Sequence, residues 1–163
     1  MVGTLHKAYI LLGSNISPIE NMRKAVNLLC RAGAVSKLST VWETKAVDSS
    51  GPNFLNAAVL LGTNLTVLEL KEQTLYPIEA LLGRVRTWDK NAPRTIDLDT
   101  IIFDDKIQDL NVWTRIHISV PMVEIAPGLI HPDSKKSLDE VAASLLQSGW
   151  AKPHPEIHLV EKC

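Results

Sequence analysis

Asp97 and Asp99 stand two residues apart in the run Thr95-Ile96-Asp97-Leu98-Asp99-Thr100-Ile101-Ile102-Phe103. Apolar and acidic residues alternate there, and a period of two is a strand signal. On a strand, residues i and i+2 point the same way. Asp97 and Asp99 therefore share one face, while Ile96 and Leu98 take the other. Two neighbouring carboxylates repel each other and gain nothing from packing. A hard cation that takes oxygen ligands and shares them with phosphates, Mg²⁺ above all, removes the conflict. Just upstream, Arg84, Arg86, Lys90 and Arg94 fall within eleven residues, punctuated by Gly83 and by Ala92-Pro93. Guanidinium forks on one side and a metal on the other are the means of gripping a polyphosphate. A solvated basic loop beside a charged edge strand accounts for any one of these residues. Their combination points to phosphate and metal chemistry.

The elements that position this stretch follow from punctuation and periodicity. Residues 7–12 read as a buried strand ending at Gly13-Ser14-Asn15. Ser17-Pro18-Ile19-Glu20 has the form of a capping box. It opens a helix with Met22, Ala25, Val26, Leu28, Leu29 and Ala32 near one face, stopped by Gly33. Residues 35–44 suit a second strand, and Asp48-Ser49-Ser50-Gly51-Pro52-Asn53 is a cluster of turn formers that reads as a mobile loop. Residues 54–62 form a third strand returning antiparallel. Thr66 to Glu69 is a second capping box, opening a helix to about Leu82 in which Pro77 predicts a kink or break near Tyr76. After the acidic strand, Asp104-Asp105 reads as a hairpin turn into residues 106–108. Residues 115–120 alternate and read as a strand, residues 123–128 as a short helical turn. Ser137 to Glu140, a third capping box, opens a last helix to about Gln147. Pro153-His154-Pro155 belongs to an extended, loosely held tail.

The order through Phe103 is β-α-β-β-α-β. That predicts an α+β chain with a ferredoxin-like βαββαβ core, an antiparallel sheet with helices packed on one face, plus a C-terminal extension. The 163 residues fit one domain over 1–163, its core at about 6–147 and its tail at 148–163. With 45% apolar residues, 21% charged and a net charge of −1, the composition is globular and lacks the basic excess of a general nucleic-acid or membrane-surface binder. The cations are clustered instead, which suits a local anionic ligand. No apolar run reaches the length of a signal sequence or a membrane span. Cys30 falls in a helical pattern and Cys163 ends the sequence, so no disulfide framework is expected, and the chain reads as cytoplasmic. His6, His131, His154 and His158 read as surface residues.

Ala92-Pro93-Arg94-Thr95-Ile96-Asp97-Leu98-Asp99 resembles the signature of the 6-hydroxymethyl-7,8-dihydropterin pyrophosphokinases of folate biosynthesis, and Gly83-Arg84-Val85-Arg86 resembles the family's lead-in to it. Ala8-Tyr9-Ile10 with Gly13-Ser14-Asn15, Phe54 to Val59, and Glu124-Ile125-Ala126-Pro127 resemble further family blocks in the same order. The resemblance implies a ferredoxin-like core and transfer of pyrophosphate from ATP to the hydroxymethyl group of a reduced pterin, leaving AMP. It implies two Mg²⁺ ions held by Asp97 and Asp99, with Arg84 and Arg94 clamping phosphates beside them. It places Glu79, Arg86, Lys90 and Arg115 at the nucleotide, and Thr44, Val47, Phe54, Asn56 and His117 at the pterin. Asn56 inside an apolar strand is notable by itself, because a buried amide must be paired. Three departures stand out. The segment between Asp105 and Arg115 is short and lacks the family's Val-Pro-His-Pro-like motif, His117 stands where a stacking Phe is usual, and Lys45 replaces a usual Pro. Trp88 or Trp113 is a candidate to compensate for His117. ATP and a reduced pterin are the expected partners, with no nucleic acid and no membrane, for a monomer or weak homodimer. A paralogue acting on a different pterin alcohol and a non-catalytic ferredoxin-like ligand-binding module are the alternatives. A module has no need of two adjacent aspartates, and RNA binding would want exposed aromatics on central strands.

Overall fold

The computed structural model describes residues 3–47, 51–160 and 163. The turn-rich Asp48-Ser49-Ser50, expected to be a mobile loop, lies outside them. The sheet is built on β1 (His6–Ser14) and β4 (Phe54–Thr63), which pair antiparallel along their whole length. β5 (Asp97–Phe103) lies antiparallel on the other side of β1 and forms a hairpin with β6 (Lys106–Ile107) around Asp104, whose φ is 53°. The segment expected to form one strand over 35–44 is two, β2 (Ala34–Leu38) and β3 (Trp42–Thr44), both antiparallel to β4. Between them the pairing shifts by one residue, from Leu38 opposite Val59 to Trp42 opposite Asn56. Ser39 fills the gap, donating its backbone N–H to the Ala58 carbonyl and accepting the Ala58 N–H on its hydroxyl, each at 2.8 Å.

The helices of the βαββαβ core lie on one face, as the element order predicts. α1 (Pro18–Ala32) packs Met22, Ala25, Val26 and Leu29 onto Ile10, Leu12, Ala57 and Val59. The second helical segment runs from α2 (Val67–Leu70) through a π-turn at Lys71–Leu75 into α3 (Tyr76–Leu81). Pro77 does interrupt the α-helical pattern, but the chain widens by one residue, with the Tyr76 N–H bonded to the Lys71 carbonyl, and stays helical. The capping box at Thr66 forms. The one expected at Ser17 does not: Ser17 takes a left-handed conformation without a side-chain cap, and Glu20 pairs with Lys24.

The extension covers the opposite face. Residues 116–125, expected in part as a strand, are helix α4 (Ile116–Ile125), and the short turn expected over 123–128 is its end. The alternation misled because α4 is buried on most of its circumference: Ile118, Ser119, Val120, Pro121, Met122 and Ile125 are all inside, and such a helix carries no amphipathic period. α5 (Leu138–Ser148) begins with the expected capping box at Ser137 and packs on α4. A bulge at Ile101 in β5 turns Ile101 and Ile102 both into this second core with Leu11, Ala58, Met122 and Trp113.

The tail is tied down rather than loose. β7 (Ala151–Pro153) adds an antiparallel strand to β3, Leu159 is buried among α1 and β-strand residues, and Cys163 is disulfide-bonded to Cys30. The expectation of no disulfide is thereby corrected. Spacing alone could not reveal it, since the two cysteines are 133 residues apart in sequence but 5.4 Å apart at Cα. Among the described residues no helix is long and apolar enough to cross a membrane.

Candidate active site

A cleft of about 310 Å³ opens between the ends of β1, β4 and β5 and the start of α4. Asp97 and Asp99 lie opposite Gly13 and Leu11 of β1, and Leu11 belongs to the α4-side core. Both carboxylates therefore face the cleft, while Ile96 and Leu98 are buried in the other core. The shared face read from the alternation is the observed one.

The basic residues converge on Asp97. Arg84 Nη1 donates to Asp97 Oδ1 at 3.0 Å and to the Ile96 carbonyl at 2.9 Å; Arg94 Nη1 donates to Asp97 Oδ2 at 2.8 Å. Arg94 is fixed through Asn15, whose Oδ1 accepts the Arg94 N–H at 2.8 Å while its own N–H bonds the Arg94 carbonyl. That is the structural use of Gly13-Ser14-Asn15. The Arg94 guanidinium also donates to the Lys90 carbonyl and lies 5.9 Å from the Phe54 ring centroid. Its Nε is buried with no hydrogen-bond partner among the described residues.

Burial pulls the Asp97 carboxyl upward, but the Arg84 and Arg94 guanidiniums outweigh it and hold Asp97 below its ordinary value. Asp99 forms no hydrogen bond with either guanidinium among the described residues, although both charges still pull it downward. Crowding by the cleft walls, then the charges of Asp97 and Asp109, push it up to about 6 although one side of it opens to the cleft. An aspartate held up by a neighbouring carboxylate on an oxygen-rich wall fits a hard cation, which would favour both ionised forms.

Glu79 lies outside the cleft. It is 2% exposed beneath β5, accepting the Leu98 N–H at 3.1 Å and Arg86 Nη2 at 2.8 Å, with Arg84 Nη1 3.6 Å away. Burial, aided by the Asp97 charge, pushes it up to about 7 despite the Leu98 N–H and Arg86. Arg86 also lies 4.7 Å over the Tyr76 ring. Of the expected nucleotide residues, Lys90, Arg94 and Arg115 line the cleft, Glu79 and Arg84 lie behind it, and Arg86 is on the surface outside it.

At the other end, Thr44, Val47, Phe54, Asn56 and His117 all line the cleft. Asn56 and Thr44 are each 2% exposed, and Asn56 Nδ2 donates to Thr44 Oγ1 at 2.8 Å. A Cβ on Gly13 would stand 3.4 Å from Asn56 Oδ1 and 4.0 Å from Phe54, so the glycine leaves that amide oxygen and ring edge approachable. Burial, then the Arg115 charge, hold His117 below its ordinary value against Asp109 and Asp97, so its imidazole is neutral near pH 7. Neither Trp88 nor Trp113 takes part: Trp88 is 96% exposed, and Trp113 belongs to the second core, edge-on to His131.

Asp109 and Asn111 line the cleft as well and were not expected there. They open a 3-10 turn at Leu110–Trp113, where Asp109 caps the Asn111 N–H at 2.9 Å. The Asp-x-Asn spacing was the available signal.

Fold and cleft together define a class: an α+β protein presenting paired carboxylates and arginines at one end of a pocket and a ring-sized, amide-bearing wall at the other. The profile of the family described as 7,8-dihydro-6-hydroxymethylpterin-pyrophosphokinase (HPPK) matches residues 9–127, and the chain belongs to that family. It is 35% identical over 144 residues to the 2-amino-4-hydroxy-6-hydroxymethyldihydropteridine pyrophosphokinase of Synechocystis, spanning 82% of this chain and 73% of that protein. It is 31% identical to the protein of the same name from Pseudomonas aeruginosa, over 85% of this chain and 92% of the other. The fold is similar to the crystal structure of wild-type HPPK-DHPS from Plasmodium falciparum with SDX-DHP, at a TM-score of 0.66, 12% identity and 87% of this chain. The chain spans only 44% of that longer protein.

Proposed function

We propose that the protein transfers the terminal diphosphate of ATP to the hydroxymethyl group of 6-hydroxymethyl-7,8-dihydropterin, giving the pterin diphosphate and AMP for folate biosynthesis. The observation that carries this reading is a single cleft lined by Asp97, Asp99 and Arg94 at one end and by Thr44, Phe54 and Asn56 at the other. In the proposed reaction the hydroxymethyl oxygen attacks the β-phosphorus, the bond from that phosphorus to the α,β-bridging oxygen breaks, and AMP leaves with that oxygen. The hydroxyl proton passes to solvent.

The chain's own groups supply position and charge. Phe54 would stack on the pterin, and the Asn56 amide, held by Thr44, would read its amide-like edge. Arg94, which lines the cleft beside Asp97, would take phosphate oxygens. Arg84, carrying Asp97, would act from behind, Arg86, carried by Glu79, from the surface, and Lys90 and Arg115 from the cleft lining. Asp97 and Asp99 would hold Mg²⁺, two ions being expected with ATP, which when bound neutralises charge on the phosphates.

His117 and Lys45, which line the same cleft, favour a second reading in which another pterin alcohol is preferred. The test is AMP release from ATP and Mg²⁺, with and without 6-hydroxymethyl-7,8-dihydropterin, in wild type and Asp97→Ala. Pterin-dependent AMP that disappears in the variant is expected. Nucleotide binding without AMP would move the assignment to another alcohol, and no nucleotide binding would end the enzymatic reading.

A further inference from the structure

The C-terminal segment reaches the back of the proposed pterin wall through one imidazole. β7 brings Ala151 opposite Thr44 and Lys152 opposite Glu43, and His154 follows directly, its N–H bonded to the Val41 carbonyl at 2.8 Å. His154 Nε2 lies 2.8 Å from Glu43 Oε1, and its Nδ1 lies 2.7 Å from Glu156 Oε1. The other oxygen of Glu43 accepts Asn53 Nδ2 at 2.7 Å. Glu43 thus joins the residue before Thr44 to the residue before Phe54, and both of those neighbours line the cleft. His154, Glu43 and Asn53 do not.

We propose that His154 is a positioning residue for the pterin: as imidazolium it fixes Glu43, Glu43 fixes Asn53, and the clamp steadies the end of the β3–β4 ladder at which Thr44 pairs with Phe54. The inference rests on the reading of this end of the cleft as the pterin site. An imidazole between two carboxylates can donate to both only when both nitrogens carry protons. The neutral form turns a lone pair on one of them and loosens the clamp. The hydrogen bonds to Glu156 and then Glu43 raise the His154 pKa above its ordinary value, while Asn53 and then His154 hold Glu43 low and His154 holds Glu156 low. Lys152 adds its charge beside both carboxylates. The clamp is therefore closed between the lowered carboxyl values and the raised imidazole value, and opens as pH rises through the latter.

The experiment compares wild type, His154→Ala and His154→Gln from pH 6 to 9, measuring kcat, the KM values of pterin and ATP, and urea stability. Loss of one charge-assisted bond from a positioning wall predicts a pterin KM roughly three- to tenfold higher in His154→Ala, with kcat and the ATP KM little changed. His154→Gln, whose amide can still donate to Glu43, recovers part of the loss. The wild-type pterin KM climbs as His154 deprotonates, and this climb is missing from His154→Ala. An unchanged pterin KM, or pterin and ATP KM values rising together with lost urea stability, would overturn the proposal. Amide NMR of the ligand-free protein separates clamp from ligand: Thr44 and Phe54 signals should follow the His154 titration in wild type and not in His154→Ala. Signals that stay fixed overturn the clamp. Signals that follow, in a protein that binds no pterin, overturn the pterin assignment and leave the clamp as a property of the wall.

Discussion

Glu79 is a buried carboxylate whose charge the protein resists, and replacing it by glutamine gives a signed test of the electrostatics behind the site. Arg86 at 2.8 Å and Arg84 at 3.6 Å would by themselves lower its pKa. Burial and the nearby Asp97 outweigh them and raise it from 4.5 to about 7. With the folded value above the unfolded one, the folded state binds more protons between those pH values, so stability falls as pH rises from about 4.5 to about 7 and then levels. At about 1.4 kcal/mol per unit, and allowing for the coupling to Asp97, the slope amounts to roughly 2–3 kcal/mol. Glu79→Gln keeps an acceptor for the Leu98 N–H but has no proton to lose. Urea unfolding of both proteins from pH 4 to 8 should show the variant gaining roughly 2–3 kcal/mol relative to wild type across that range. A difference independent of pH, or one in which wild type gains as pH rises, would refute the reasoning and mean that the two arginines dominate the carboxylate.

Asp99 at about 6 must lose its proton before it can serve as a metal ligand, so Mg²⁺-dependent binding of a non-hydrolysable ATP analogue should weaken about tenfold between pH 7 and pH 5. Calorimetric titration reads this directly, and an Asp99→Asn variant should lack that pH step. Asn56→Ala removes the amide that donates to Thr44 at 2.8 Å and should raise the pterin KM about ten- to a hundredfold, with a much smaller effect on the ATP KM in steady-state assays. Cys30→Ser opens the link to Cys163 and should cost about 2–4 kcal/mol of stability, read as a lower midpoint on thermal unfolding without reductant; wild type with reductant should converge on the variant.

Much of this architecture is written locally. The alternation at 96–99 places Asp97 and Asp99 on one face because strand geometry leaves no other choice, and two of three expected capping boxes form, at N-caps that are extended, whereas the left-handed Ser17 lacks one. What escaped depends on contacts distant in sequence. α4 reads as a strand because its burial between sheet and α5 removes the period that would mark a helix. The tail looks loose because its anchors, Glu43, β3 and Cys30, lie more than a hundred residues upstream. The site shows the same division. The motif residues that line the cleft were legible, whereas the placement of Glu79 and Arg84 behind it, of Arg86 outside it and of Asp109 within it follows from packing that local spacing does not encode.

The most direct test of the central claim follows two labels through a single turnover. With enzyme in excess over ATP carrying one radiolabel at the α-phosphorus or the γ-phosphorus, the γ label should move wholly into the pterin product while the α label remains in AMP, in equal amounts. Release of the γ label as inorganic phosphate, or recovery of the α label as ADP, would contradict pyrophosphoryl transfer at this cleft.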